Sequence, residues 1–300
     1  MIITGKYPKL RMRRSRKTDW MRRLVRENSL SSNDFILPIF VTEGKNKKIP
    51  IKTMPEVFRY SVDKLGQIVD RALKLKIPMV AIFPQTNSGL KDSYGSEALN
   101  ENNLVCKAIR KIKDKYKNEI GIMTDVALDP YTSHGHDGIL RNKRILNDET
   151  IEILIQQSLL QAQMGSDVIA PSDMMDGRIG EIRQELDNNS LKDIKILSYA
   201  VKYASSFYGP FRDAVGSKKS LKGDKKTYQM DFSNSEEALR EVALDIKEGA
   251  DLVMVKPGLP YLDIIKKVKE NFKIPVLAYQ VSGEYSLLMN GINKGLINEN

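Results

Sequence analysis

The stretch DLVMVKPGLPYLD (251–263) runs from an apolar, β-branched segment into a lysine and a Pro-Gly turn. A segment apolar at nearly every position is what a parallel strand buried on both faces requires. The same pattern recurs in FILPIFV (35–41), PMVAIFP (78–84), GIMTDVAL (121–128), DVIAPS (167–172), IKILSYA (194–200) and PVLAYQ (275–280). Between these runs lie segments with apolar residues at helical spacing, among them 61–76, 148–165, 235–249 and 261–272. Ser235 is expected to start one of these helices and Gly249 to stop it. Strands alternating with helices predict βαβ units and a parallel sheet, and no Gly-rich phosphate turn follows the first strand. The fold class is therefore α/β, and a (β/α)8 TIM barrel is expected in preference to a doubly wound sheet.

Composition narrows the class of protein. Of 300 residues, 41% are hydrophobic and 29% charged, a balance that excludes a disordered chain. No apolar run reaches the roughly 18 residues that span a bilayer, and the N-terminus lacks the apolar core of an export signal. The single Cys106 permits no internal disulfide and suits a reducing cytoplasm, so a cytoplasmic protein without a membrane partner is expected. The net charge of +10 is spread along the chain and reads mainly as a solvated basic surface. The exception is the cluster Arg11, Arg13, Arg14, Arg16, Lys17, Arg22 and Arg23. It makes residues 1–33 an arm outside a catalytic barrel of residues 34–300. Without aromatic interleaving or zinc-finger spacing, docking on an acidic face of a partner subunit is favoured over nucleic acid.

In such barrels the chemistry sits where strands end, and polar residues end several strands here: Asp125, Ser172, Lys202 and Lys256. Lys256 at the end of an apolar strand faces a dry site, where desolvation frees a neutral amine as nucleophile; the alternative is a lysine snorkelling to the rim. Lys202 follows strand 194–200 among small residues. If both lysines enter one barrel mouth, each cation raises the cost of protonating the other, and two Schiff-base lysines become plausible together. The segment 207–211, with Tyr208 and Phe211, either packs a loop or walls a pocket. Arg212 and the basic segment 217–229 offer cations to a carboxylate substrate, and the latter reads as a mobile loop with the properties of a lid. In DVALDPYTSHGHDG (125–138), His134 and His136 stand among Asp125, Asp129 and Asp137, as ligands of a divalent cation or as hydrogen-bonded loop residues. The absence of thiolates argues against a tight zinc site.

Six segments in order then carry a resemblance: DVALDPYTSHGHDG, APSDMMDGRIG (170–180), SYAVKYASSFYGPFRDA (198–214), GDKKTYQMD (223–231), EGADLVMVKPGLPYLDI (248–264) and YQVSGEY (279–285). They are similar to the successive signatures of the porphobilinogen synthase family, also called 5-aminolevulinate dehydratases, over about residues 10–292. The resemblance implies a hydro-lyase that condenses two molecules of 5-aminolevulinate to porphobilinogen, an early step of tetrapyrrole and heme biosynthesis. It implies a Schiff base from Lys256 to the first-bound substrate, whose carboxylate Ser282 helps to hold. Lys202 would bind the second substrate, with its carboxylate taken by Arg212, Lys225 and Gln229. Lys225 stands where many relatives carry arginine. Asp125 and Ser172 would line the pocket and orient the second substrate's amino group.

Zinc-type members of the family carry three cysteines where this sequence has Ala127, Asp129 and Asp137. The resemblance therefore implies the zinc-independent, magnesium-responsive branch, with an allosteric Mg2+ associated with Glu241 and no catalytic zinc. It also implies a homo-octamer in which the N-terminal arm embraces a neighbour. Relatives continue past 300 with a final strand and helix, so an α/β barrel lacking its last βα unit is expected. Open edges on strands 1 and 7 would follow, with aggregation and poor activity as for a truncated, inactive family member. A class I aldolase-like barrel is the alternative enzyme; it needs one lysine, where this sequence offers Lys202 and Lys256.

Overall fold

The computed structural model describes residues 5–215, 221 and 223–299, without the side chains of Arg212 and Asp213. The N-terminal segment carries one short helix, α1 (Asp19–Leu24), and buries none of that helix's residues. The strands follow as β1 (Ile36–Thr42), β2 (Lys48–Pro50), β3 (Phe58–Ser61), β4 (Met79–Gln85), β5 (Gly121–Val126), β6 (Ile139–Arg141) and β7 (Arg144–Leu146). They continue with β8 (Val168–Pro171), β9 (Lys195–Lys202), β10 (Leu252–Lys256) and β11 (Val276–Ala278). Helices α2 (Leu65–Lys74), α3 (Leu104–Tyr116), α4 (Asn147–Gln163) and α5 (Arg178–Asn188) occupy the first crossovers. Next come α6 (Gly209–Ala214), α7 (Ser235–Glu248), α8 (Leu262–Asn271) and α9 (Ser282–Asn293).

Among the described residues, β1, β4, β5, β8, β9, β10 and β11 pair in parallel in chain order, the winding of a TIM-type barrel. Each crossover helix buries one stripe on the outer face. In α2 that stripe is Leu65, Val69 and Ala72, spaced by helical turns and packed with Leu104, Ile109 and Ile112 of α3. Burying a side chain such as Leu65 or Val69 contributes about 1.5–3 kcal/mol. The inner face holds a separate cluster that includes Phe40, Ala81, Phe83, Met123, Ala170, Leu197, Tyr199 and Met254. Strand side chains alternate faces, so the residue two places beyond an inward one also points inward. Asp125, Ser172 and Lys256 thereby follow Met123, Ala170 and Met254 into the interior.

The arc of strands is not closed among the described residues: no ladder joins β1 to β11. A cavity of about 630 Å3 lies at this seam, lined by Ile36, Leu37 and Pro38 on one side and Val276, Leu277 and Ala278 on the other, and it reaches Lys256. The expectation of a wholly unpaired edge on the first strand needs correction. Phe40–Thr42 pair in parallel with Arg59–Ser61 of β3, and β2 pairs antiparallel with β3. That hairpin was hidden because its residues, KIP and FRYS, are too short and polar to show a strand period. One boundary also shifts. The strand expected over 194–200 extends to Lys202, which is its last residue and not a loop residue. Helix α7 starts at Ser235 as expected, with Asn234 at its N-cap position, and ends at Gly249 with φ +108°, the left-handed conformation that glycine favours.

Candidate active site

Lys202 and Lys256 are register partners at the ends of β9 and β10. Neighbouring strands lie about 4.8 Å apart, so the two side chains enter the same mouth. Their common orientation depends on an irregularity in β9. Ser198 is opposite Val253 and Val201 opposite Val255, so β9 spends three steps where β10 spends two. The extra residue reverses the alternation, and Tyr199 and Lys202 both face inward.

The two lysines have different surroundings. Lys256 is 6% exposed, and the rings of Tyr199, Tyr208, Phe211 and Tyr279 stand around its Nζ. Burial, reinforced by the charge of Lys202, pushes the Lys256 amine down to about 7. Lys202 donates to the backbone carbonyl of Ser172 and lies 3.4 Å from Asp137 Oδ2. Asp137 also accepts from Lys225 Nζ at 2.7 Å, and Lys225 reaches Asp129 at 3.5 Å. Burial would raise the Asp137 carboxyl, but Lys202 and Lys225 overcome it and hold that carboxyl down at about 2. Asp129 is raised, burial outweighing the attraction of Lys225. Asp125 faces both lysines, yet burial still raises its carboxyl to about 6, and its Oδ1 has no hydrogen-bond partner among the described residues.

Between these groups is a small cavity of about 40 Å3, lined by Asp125, Asp129, Ser172, Lys202, Lys225, Gln229 and Lys256, with Tyr208 and Phe211 as its apolar wall. Lys256, Tyr208 and Phe211 also border the seam cavity, where Ser282 Oγ accepts from the Phe211 amide at 2.7 Å. The pocket thus has a charged half around Lys202 and an aromatic half around Lys256. A buried amine near neutrality beside a second lysine and a carboxyl of matched proton affinity can add to a ketone and move the accompanying protons.

A sequence profile of the Delta-aminolevulinic acid dehydratase family matches residues 9–300. The chain belongs to this family.

Among individual dehydratases, that of Bradyrhizobium diazoefficiens is 57% identical over 286 residues, covering 95% of this chain and 81% of its own length. The Methanothermus sociabilis dehydratase is 51% identical, covering 96% of this chain and 88% of its own. Of solved structures, the Toxoplasma gondii delta-aminolevulinic acid dehydratase in complex with the product porphobilinogen superposes with a TM-score of 0.92 at 44% identity. That match covers 97% of this chain and 82% of that one.

In this dehydratase chain the structure brings together nine of the sequence-derived candidates in one cavity and places Ser282 in the adjoining seam cavity, which Lys256 also borders. The Arg212 side chain and residues 216–220 and 222 lie outside the described residues; of the segment 217–229, read as a mobile loop with the properties of a lid, residues 221 and 223–229 are described, and Lys225 and Gln229 among them line the cavity. Ala127 is buried and offers no ligand atom. Glu241 does not line that cavity: it lies on α7, in the crossover between β9 and β10, where it borders a separate cavity of about 410 Å3 with Glu236, Glu237 and Arg240. His134 and His136 are hydrogen-bonded loop residues: His136 Nδ1 is 3.0 Å from the Tyr228 hydroxyl and His134 Nε2 is 3.2 Å from the Ser93 carbonyl. Among the described residues no group of three or more His, Cys, Asp or Glu could hold a metal ion.

Sequence reasoning missed Tyr199, Tyr279 and Lys91. Tyr199 lies three residues before Lys202, and a strict two-residue period assigns it to the opposite face. Tyr279 begins YQVSGEY and follows the three-residue strand β11, too short for a period to assign its side chain to a face. Lys91 is depressed by burial despite Asp129, and its Nζ has no hydrogen-bond partner among the described residues.

Proposed function

We propose that this chain condenses two molecules of 5-aminolevulinate to porphobilinogen, with Lys256 and Lys202 each forming a Schiff base to one of them. The observation that carries the reading is the register pairing of the two lysines at one barrel mouth. Lys256, near 7, supplies a neutral amine at physiological pH. It adds to the substrate ketone, and loss of the former carbonyl oxygen as water leaves a cationic iminium. Asp125, near 6, is matched to give the proton that this oxygen needs to depart and to take one back. Lys202 binds the second substrate. Its ammonium is held by Asp137 and the Ser172 carbonyl until substrate arrives. Lys225 and Gln229 from the small cavity take that substrate's carboxylate, and Ser282 with the seam cavity takes that of the first; Arg212 is assigned to the second substrate's carboxylate from the family motif alone. The iminium withdraws electrons and acidifies the adjacent carbon, so bond formation, ring closure and loss of water proceed near neutral pH. An aldolase-like reaction leaves Lys202 without a task.

The positions of the family's zinc-type cysteines hold Ala127, Asp129 and Asp137, and the two carboxylates are engaged by the ammonium of Lys225. Such a donor set does not suit a thiolate zinc centre. We assign the chain to the magnesium-responsive branch, with a mostly hydrated Mg2+ held near Glu241 as a regulatory ion, because Mg2+ keeps its waters and needs few carboxylates. Residues 1–33 are assigned as an arm on a neighbouring subunit of a homo-octamer, in the cytoplasm. Porphobilinogen formation measured with and without Mg2+ tests both parts. The intact chain is expected to turn over and to respond to Mg2+; Lys256→Ala should lose about 1000-fold or more in rate, and Glu241→Gln should keep the metal-free rate but lose the response. A Lys256→Ala protein within a few-fold of the intact chain would contradict the assignment.

A further inference from the structure

Four rings face one nitrogen. Lys256 Nζ lies 4.4 Å from the ring centroid of Tyr279, 4.9 Å from that of Tyr199, 5.4 Å from that of Phe211 and 5.7 Å from that of Tyr208. All four distances fall within the roughly 6 Å over which a ring face attracts a cation. The rings are themselves braced. Phe83 meets Phe211 edge-on at 5.6 Å and Tyr279 at 6.2 Å, and Tyr199 lies 6.3 Å from Tyr279. Their positions come from separate parts of the chain: Tyr199 from the irregular stretch of β9, Tyr208 and Phe211 from the segment entering α6, and Tyr279 from the end of β11.

We propose that these rings form a cage that stabilises the cationic iminium nitrogen of Lys256, with Tyr279, the nearest, as its principal wall. The inference rests on the Schiff-base assignment of Lys256. As nucleophile this nitrogen must be neutral; once the ketone oxygen has left as water it carries a positive charge. A ring face attracts only the charged form, so its contribution appears as the iminium forms, which is the differential stabilisation that accelerates a step. A carboxylate in direct contact would stabilise that charge more strongly, but it would also hold the free lysine protonated. Four rings lessen that conflict, since each exposes negative quadrupole without carrying net charge and so supports the ammonium less than a carboxylate would. The charged groups that act on Lys256 are Lys202 on β9, Asp125 on β5, and Asp129 and Asp137 from the loop that follows it. Lys202 opposes the positive charge, the aspartates favour it, and burial opposes it most strongly. The tyrosine hydroxyls at 199 and 279 stay neutral, because burial raises both.

The test replaces residue 279 with a series of equal shape: Tyr279→Phe, then phenylalanines bearing one, two and three ring fluorines, which progressively remove negative potential from the ring face. Two quantities are read in the full chain: kcat for porphobilinogen formation, and the pH midpoint for borohydride trapping of 5-aminolevulinate on Lys256. Tyr279→Phe is expected to stay within about threefold of the unsubstituted protein. The fluorines are expected to lower kcat in steps, reaching about tenfold with three, and to move the trapping midpoint towards lower pH by up to roughly one unit, since the ammonium loses the same support. A series flat in both readouts would overturn the cage while leaving the Schiff base in place. Absence of a Lys256 adduct in the unsubstituted protein would instead overturn the assignment on which the cage rests.

Discussion

A single amine that must be neutral in the folded protein stores a stability cost. The Lys256 amine is pushed from 10.5 down to about 7, chiefly by burial. Between these pH values the unfolded chain binds a proton that the folded chain does not, so unfolding becomes more costly as pH rises through that window. Lys256→Met keeps the volume and removes the penalty. It is expected to be inactive yet more stable, by on the order of a few kcal/mol at and below about pH 7, with the gain shrinking towards pH 10.5. Urea midpoints measured across this range check the sign. Much at this scale was legible in the sequence: strand-end positions and the ordered motifs singled out Asp125, Ser172, Lys202, Lys225, Gln229, Ser282 and Lys256. What was not legible were the partners. That Asp137 bridges two ammonium groups, or that His136 serves Tyr228, depends on contacts 65 to 92 residues apart along the chain.

The elements deliver these side chains through close approaches. Helix α9 begins at Ser282, and a Cβ added at Gly283 would collide with the backbone of Phe207, whose Cα would be only 2.8 Å away. Glycine at 283 lets the start of α9 lie against the segment that carries Tyr208 and Phe211. Gly283→Ala is therefore expected to force the two apart and disturb the Ser282 contact to the Phe211 amide. A rise in KM for 5-aminolevulinate of about tenfold and a loss of about 1–3 kcal/mol in thermal unfolding are predicted, the cost typical of overpacking. The seven parallel strands and their helices were readable from apolar runs and helical spacing. The β2–β3 hairpin and the irregular residue in β9 were not, because a short polar strand and a one-residue insertion leave no periodic signal. The irregularity has the larger consequence: without it, Lys202 and Tyr199 would point to opposite faces.

At the scale of the whole molecule, parallel winding brings residues 125, 172, 202 and 256 to one end of the sheet, and the cavity at the β1–β11 seam opens onto the same chamber. The N-terminal segment leaves Trp20 61% and Leu24 73% exposed, an apolar surface on a basic segment, and the proposed subunit arm is tested there. Sedimentation velocity is expected to show an assembly larger than the monomer, and removal of residues 1–33 to shift it towards smaller species; unchanged sedimentation would remove the arm from the assembly. In the proposed reaction the fold's central task is to bring two lysines from neighbouring strands to two substrates. Incubation of the full chain with 5-aminolevulinate and borohydride, followed by peptide mass mapping, tests this directly. The predicted result is a reduced substrate adduct on Lys256, with a second on Lys202 as substrate is raised, and absence of an adduct from both lysines would contradict it.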